Sequence, residues 1–277
     1  MKEVSTASCQ SCGQPLMGKY CHVCGEKVLV QSDKALGVWV KDLLSNVWQL
    51  EGRLIRSMKL LLFKPGKYAS DYARGARVKY IKPLNIFLIV NLMYFLLPTY
   101  DTFQTTLNNQ VTAMPYSAWA RTVVHNHAAN ESLSIEEFEK AYNAKTSEIS
   151  KLIIIALALM LGVIIFLCLK QQGLYLTDGF NLALQFLSFY LLIMLLLLPG
   201  INRQLEIWTD LDLLRSDLQY SLLALITSAV YLAFELRPWR GAKTYLFLTK
   251  VLIIMVSFYP VVTLYRLLLF GATVIAL

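Results

Sequence analysis

Acidic residues, histidine and cysteine are all scarce in this chain. Of its 277 residues 18 are Asp or Glu, three are His and five are Cys. Three histidines cannot build a histidine-rich metal or proton-relay centre. The sequence also contains no nucleophile elbow, phosphate-binding glycine loop, HExxH helix or calcium loop. No catalytic centre is therefore legible, and the residues lean away from an enzyme. Glycine and proline, at 13 and eight residues, are too few for a low-complexity or collagen-like chain. Residues 1–30 hold no apolar h-region, so no signal peptide is expected. Charged residues make up 16% of the chain and hydrophobic ones 56%, with a mean hydropathy of +0.51. That balance excludes an ordinary soluble domain and points to lipid.

Four of the five cysteines fall in two pairs, Cys9-x-x-Cys12 and Cys21-x-x-Cys24, each followed by glycine, Gly13 and Gly25. Four thiolates around one zinc form a closed tetrahedral site, so the expected cofactor is a structural zinc in a ribbon over residues 1–30. Pro15 and Gly18 lie between the pairs. So short a segment buries too little apolar surface to fold without metal. The thiols must stay reduced to bind it, which places this end in a reducing cytosol. Cys168, inside an apolar run, reads as a small buried hydrophobe.

About five transmembrane helices are expected: Ile81–Leu97, Leu152–Leu169, Phe180–Leu198, Tyr220–Leu236 and a fifth from Tyr245. The fold class is thus an all-α integral membrane helical bundle with a small N-terminal zinc ribbon and an interfacial amphipathic helix. With the N-terminus inside, residues 1–82, Lys170 and the 237–243 turn carry eighteen Lys or Arg, and the outer loops 101–148 and 199–219 carry five. This predicts a cytosolic N-terminus, an extracytoplasmic loop over 101–148 and an extracytoplasmic C-terminus. Within the loop, Ser134 and Glu137 form a capping-box pair, opening a helix that runs into the second span. His125 and His127 lack further ligands nearby and read as a solvated loop.

Residues 31–82 are the membrane-surface region. Leu36, Trp39, Val40, Leu43, Val47, Leu50, Leu54, Met58 and Leu61 form one helical stripe opposite Lys41, Arg53, Arg56 and Lys59. This pattern describes a helix in the interface plane, or one packed on the bundle. A basic collar follows: Lys64, Lys67, Arg74, Arg77, Lys79 and Lys82, interleaved with Tyr68, Tyr72 and Tyr80. Near an anionic leaflet each cation contributes on the order of 1 kcal/mol. The position of the collar, directly before the first span, favours anionic lipid partners over nucleic acid, despite a pI near 9.2. Most of the collar is explained as a topogenic anchor. The sharper reading gives Arg74 and Arg77 one lipid or nucleotide phosphate, with Tyr72 and Tyr80 at headgroup depth.

Lys64-Pro65-Gly66, Tyr72-Ala73-Arg74-Gly75-Ala76-Arg77 and Tyr80-Ile81-Lys82-Pro83, preceded by the Cys-x-x-Cys-Gly ribbon, carry a resemblance. Over residues 9 to 200 this order of parts resembles a bacterial membrane family of unknown function. Its signature runs Arg-Pro-Gly, Tyr-x-x-Gly-Lys-Arg and Tyr-x-x-Pro. Lys64 stands in place of the arginine, and Arg74 precedes Gly75. The resemblance implies the bacterial inner membrane and a zinc ribbon, with no activity attached. It also implies histidines at the start of the third span, yet Gly179–Leu187 holds none. A haem or metal role there is not expected.

Inside the spans lie Asn85, Asn91, Gln185 and Ser188, read as interhelical hydrogen-bond glue, and Lys250, close enough to snorkel inward. The fifth span has two registers. Over Tyr245–Tyr265, which fits the bilayer well and is favoured, Arg266 marks the outer interface and Leu267–Leu277 is an apolar tail along the membrane. Over Val251–Leu277, Arg266 sits within the span and needs a partner. Glu235 is expected to pair with Arg237 at the inner surface. Three functions fit: an adaptor or regulatory protein whose ribbon binds a cytosolic protein partner, a small transporter or channel, and a lipid-modifying enzyme that holds a headgroup on the collar. The adaptor uses only visible parts and leads. A homo-oligomer fits any of the three.

Overall fold

The structure, a computed structural model, describes residues 8–9, 11–15, 17–18, 20–24, 52–96, 105–130, 134–209, 217–241 and 243–277. Most of the amphipathic stripe predicted from Leu36 onward lies outside the described residues. The chain divides into two compact units, Met1–Arg53 and Leu54–Leu277.

In the first unit the described residues form a knuckle. Ser8 and Pro15 make an isolated antiparallel bridge. The Cys9 N–H donates to the Gln14 carbonyl at 2.8 Å, and the Gly13 N–H donates back to the Cys9 carbonyl at 2.8 Å. Gly13 closes this turn at φ +74°, a conformation that costs glycine nothing.

The second unit is helical, with no strand among the described residues. Its elements are α1 (52–63), α2 (Pro65–Ala73), α3 (Pro83–Leu96), α4 (Leu107–Thr112), α5 (Ser117–Asn130) and α6 (Ile135–Leu169). Then come α7 (Leu176–Phe189), a π-helical stretch Tyr190–Leu197, α8 (Leu198–Thr209), α9 (Asp217–Leu236) and α10 (Thr244–Ile275). Among the described residues five stretches are long and apolar enough to cross a membrane: Arg77–Leu96, Ile135–Gln172, Leu176–Gly200, Gln219–Trp239 and Thr244–Ile275. Each contains or closely matches an expected span. Their apolar side chains point both ways. In α3, Ile86, Phe87 and Val90 are buried while Leu88, Leu92 and Met93 are exposed. In α10, Val251 and Ile254 are buried while Leu252, Ile253 and Val256 are exposed. A helix apolar on every side is what a lipid solvent selects.

Helix α6 packs along both α7 and α10. Glycine permits the closest crossing. A Cβ on Gly162 would lie 2.5 Å from the Phe180 ring, and one on Gly179 would lie 2.5 Å from the Gly162 carbonyl oxygen. Small residues let membrane helices approach in this way, because packing rather than hydrophobicity drives their association. Phe189 of α7 stacks on Tyr231 of α9 with centroids 3.8 Å apart.

The predicted capping box is formed. Ser134 Oγ accepts from the Glu137 N–H at 3.3 Å, while Glu137 accepts from the Ser134 N–H at 3.0 Å. The helix it opens runs 35 residues without a break. Its polar first half, α4, α5 and the end of α10 share a separate apolar cluster that includes Leu107, Val124, Phe138, Tyr142 and Phe270. Here the expectation for the C-terminus is corrected. Residues after Arg266 do not form a surface tail but continue α10 to Ile275. Phe270 is drawn into the second cluster by edge-on contact with Trp119 at 5.7 Å. His125 and His127, predicted in a loop, lie on helix α5.

The α6–α7 crossing yields a prediction. Gly162→Val should lower the thermal midpoint in detergent, with a cost of about 1–3 kcal/mol from overpacking. Gly271→Ala, where an added Cβ meets nothing within 4 Å, should not lower it. Equal midpoints for Gly162→Val and the wild type would contradict the crossing.

Candidate metal centre and basic cavity

Cys9, Cys12, Cys21 and Cys24 converge, with all four sulfurs within 4.8 Å of one another. Cys9 Sγ lies 3.4 Å from Cys24 Sγ, and Cys12 Sγ lies 3.6 Å from Cys21 Sγ. A disulfide would need about 2.05 Å, and all four cysteines are free. With metal–sulfur bonds near 2.3 Å, the edge of a tetrahedral site measures about 3.8 Å, so the cluster already has the right size. The backbone N–H groups of Cys24 and Val23 face the Cys21 sulfur and bring its pKa down to about 6. Donors aimed at a sulfur favour the thiolate that binds metal. Cys9 and Cys21 are buried, and Cys12 and Cys24 are exposed. The four can hold one metal ion, and they complete a tetrahedral shell without leaving a position for substrate.

In the collar, Pro65 starts α2, and Gly75 ends it at φ +95°. The Gly75 N–H donates to the Tyr72 carbonyl at 3.1 Å and the Ala76 N–H to the Asp71 carbonyl at 2.9 Å, which is a Schellman end. The tyrosines of the collar turn into the protein. Tyr68, Tyr72 and Tyr80 are all buried, with the Tyr68 ring edge-on to both others at 6.4 and 5.5 Å. Tyr68 Oη donates to the Ile81 carbonyl at 2.5 Å, and Tyr80 Oη donates to Asp71 Oδ2 at 2.7 Å. Ser57 Oγ accepts from the Ile81 N–H at 3.0 Å. Burial pushes the Tyr68 hydroxyl well above its usual pKa, so it remains a neutral donor. These bonds fasten the segment to the bundle, and Leu61, Tyr68, Ala69 and Tyr80 belong to the main core.

The six cations of the collar are all exposed, but they separate by surroundings. Arg77 lies over the Tyr72 ring at 5.3 Å from its centroid. Arg74 caps α2. Lys79 ends a 3₁₀ turn, and Lys82 stands one residue before α3. Lys64 and Lys67 instead line a cavity of about 590 Å³ with Pro65, Gly66, Phe234 and Arg237. Gly66 makes this junction: a Cβ there would fall 2.4 Å from the Phe234 carbonyl oxygen. Neither Arg237 nor Arg240 drew attention in the sequence as a partner of the collar. The available signal was the Arg-Pro-Trp-Arg run closing the fourth span.

Of the intramembrane polar residues, Asn85 is exposed and Asn91 buried. Asn91 Nδ2 donates to the Lys151 carbonyl of α6 at 3.5 Å, and its Oδ1 has no partner. Gln185 is buried with neither amide atom bonded, and Ser188 Oγ donates to the Leu184 carbonyl at 2.6 Å within its own helix. Lys250 is half-buried in α10. Arg266 is also half-buried, about 33 Å along α10 from Thr244 at 1.5 Å per residue. Its carbonyl accepts from Gln110 Nε2 at 3.5 Å, so α4 covers it from the 105–130 segment. The expected Glu235–Arg237 pair is absent: Glu235 is fully buried with both carboxylate oxygens unbonded, and Arg237 is exposed. Residues two apart on a helix do not share a face, and Arg237 opens a 3₁₀ turn, Arg237–Trp239, that carries it outward.

Residues 51–95 match the model of a family described as Protein of unknown function (DUF3667). That stretch holds α1, α2 and most of α3, including the fastened tyrosines. No curated protein and no solved structure matches the chain.

The sulfur geometry predicts one metal ion per chain in protein purified without chelator. Cys9→Ser with Cys21→Ser should reduce this to below a tenth of an equivalent, while the helical signal of the bundle stays unchanged. Full metal content in that variant would place the metal elsewhere.

Proposed function

We propose that this protein is an integral-membrane adaptor, in which a cytosolic zinc ribbon recruits a soluble protein and the helical bundle holds it at a bacterial inner membrane. The observation that carries the reading is the four-cysteine cluster within a compact unit of its own. A coordination shell completed by protein ligands builds a recognition surface and leaves no open position for chemistry. Zinc is the preferred ion because tetrahedral all-thiolate sites suit it and it brings no redox chemistry.

The orientation follows from charge. Eighteen Lys or Arg in the inner segments against five in the outer ones favour an N-terminus in the cytosol and a C-terminus on the far side. The helices α4 and α5, with the first turns of α6, then form an extracytoplasmic cap. Asn126 is exposed on that cap. Asn126→Cys, in a variant without native cysteines, should react with a membrane-impermeant maleimide in intact cells. Reaction only after lysis would reverse the orientation.

Recruitment is tested by affinity purification in mild detergent from cells expressing either the full chain or a chain lacking residues 1–30. A soluble protein should copurify stoichiometrically with the first and fall at least tenfold with the second. Equal recovery from both would remove the ribbon from any recruiting role.

A further inference from the structure

The cavity at the junction of α2 and α9 has the composition of a ligand site. Lys64 and Lys67 approach it from one side and Arg237 from the other, although about 170 residues separate them in the chain. A second cavity of about 240 Å³ shares Phe234 and Arg237 and adds Arg240, Thr244, Phe247 and Leu248. Together they bring four cations to one end of the α9–α10 pair, and neither lining includes a carboxylate. Among the described residues none of the four is paired with an acid. Like charges facing one another over a low-dielectric wall concentrate a positive potential that an anion relieves. The volume lies within the roughly 300–1,000 Å³ usual for small-ligand pockets.

The walls decide which anion. Phe63 is 78% exposed, Phe234 55% and Leu248 55%, so the cavity opens onto apolar surface rather than onto a polar face. Arg237 and Arg240 follow the end of α9, and Phe247 and Leu248 are the fourth and fifth residues of α10. The charged part thus sits where two apolar spans end, and the apolar part leads along one of them. A free phosphate or nucleotide would use the cations and leave the apolar wall bare. A phospholipid uses both.

We propose that these neighbouring cavities bind one anionic glycerophospholipid. Lys64, Lys67 and Arg237 hold its phosphate, Arg240 takes a second oxygen of the headgroup, and an acyl chain lies against Phe234, Phe247 and Leu248. Arginine offers the phosphate two parallel donors, while lysine acts as a point charge. Arg74 and Arg77, the pair that the sequence singles out for phosphate, do not line the site. The inference is independent of whether the ribbon recruits a partner.

The test is native mass spectrometry of the full-length protein in zwitterionic detergent, titrated with phosphatidylglycerol. One bound lipid per chain is expected, with phosphatidylcholine at least tenfold weaker. Lys64→Gln with Lys67→Gln, and separately Arg237→Gln with Arg240→Gln, should each weaken binding at least fivefold. Arg74→Gln with Arg77→Gln should stay within twofold of the wild type. All six side chains are exposed, so melting without lipid should not change. If a double variant does melt lower, Lys67→Gln and Arg237→Gln singly carry the comparison. Equal binding of the two lipids would overturn the proposal, as would equal loss in the Arg74/Arg77 variant, which would mean general surface charge. Displacement of the lipid by equimolar inorganic phosphate would reassign the site to a free anion.

Discussion

The approach of Gly66 to the Phe234 carbonyl is the constraint on which the arrangement of the basic segment depends. A side chain of any size there would meet backbone, which cannot move aside as a rotamer can. With that gap closed, α2 lies against the end of α9. Tyr68 then enters the core and donates to the Ile81 carbonyl, and Tyr80 reaches back to Asp71. Each of those hydroxyls would cost on the order of 1–3 kcal/mol if buried without its partner. The hydrogen bonds therefore specify one seating of the segment rather than a loose membrane-surface collar. The cavity lined by Lys64 and Arg237 follows from the same seating.

The parts of this fold that could be read from sequence are those that depend on neighbours in the chain. Two Cys-x-x-Cys-Gly turns are local geometry, and the sulfurs meet as their spacing requires. The spans were legible because lipid demands apolar side chains on every face of a helix. The Ser134–Glu137 capping box was legible because both of its bonds close within four residues. The burial of Tyr68, Tyr72 and Tyr80 was not, because an aromatic ring with a hydroxyl serves equally on a surface and in a core with one acceptor. What decided between them was the carbonyl of Ile81 and the carboxylate of Asp71, whose positions depend on the turn at Gly75. The meeting of Lys64 with Arg237 was hidden for a simpler reason. It joins residues about 170 apart in the chain, and periodicity carries no information about which helix ends are neighbours.

Arg266 shows how a second apolar cluster alters the reading of a span. By length alone α10 offered two registers, one ending near Arg266 and one running to the end of the sequence. The structure combines them in a single helix. About 33 Å of α10 precedes Arg266, enough to cross the hydrocarbon, and the remainder enters the second cluster beside Tyr142. Gln110 links the two parts, reaching both the Tyr142 hydroxyl at 3.3 Å and the Arg266 carbonyl. Its Oε1 accepts from Tyr116, whose hydroxyl burial pushes up to about 12.

The central claim is that the segment before the first span is part of the bundle and brings its lysines to the end of α9. Photocrosslinking reads this directly. With benzoylphenylalanine in place of Phe63, which shares a cavity wall with Phe234 and Pro238, irradiation in native membranes followed by peptide mapping should join position 63 to the peptide containing Phe234–Pro238. Crosslinks to protein found only in peptides outside α9 and its end would contradict the account.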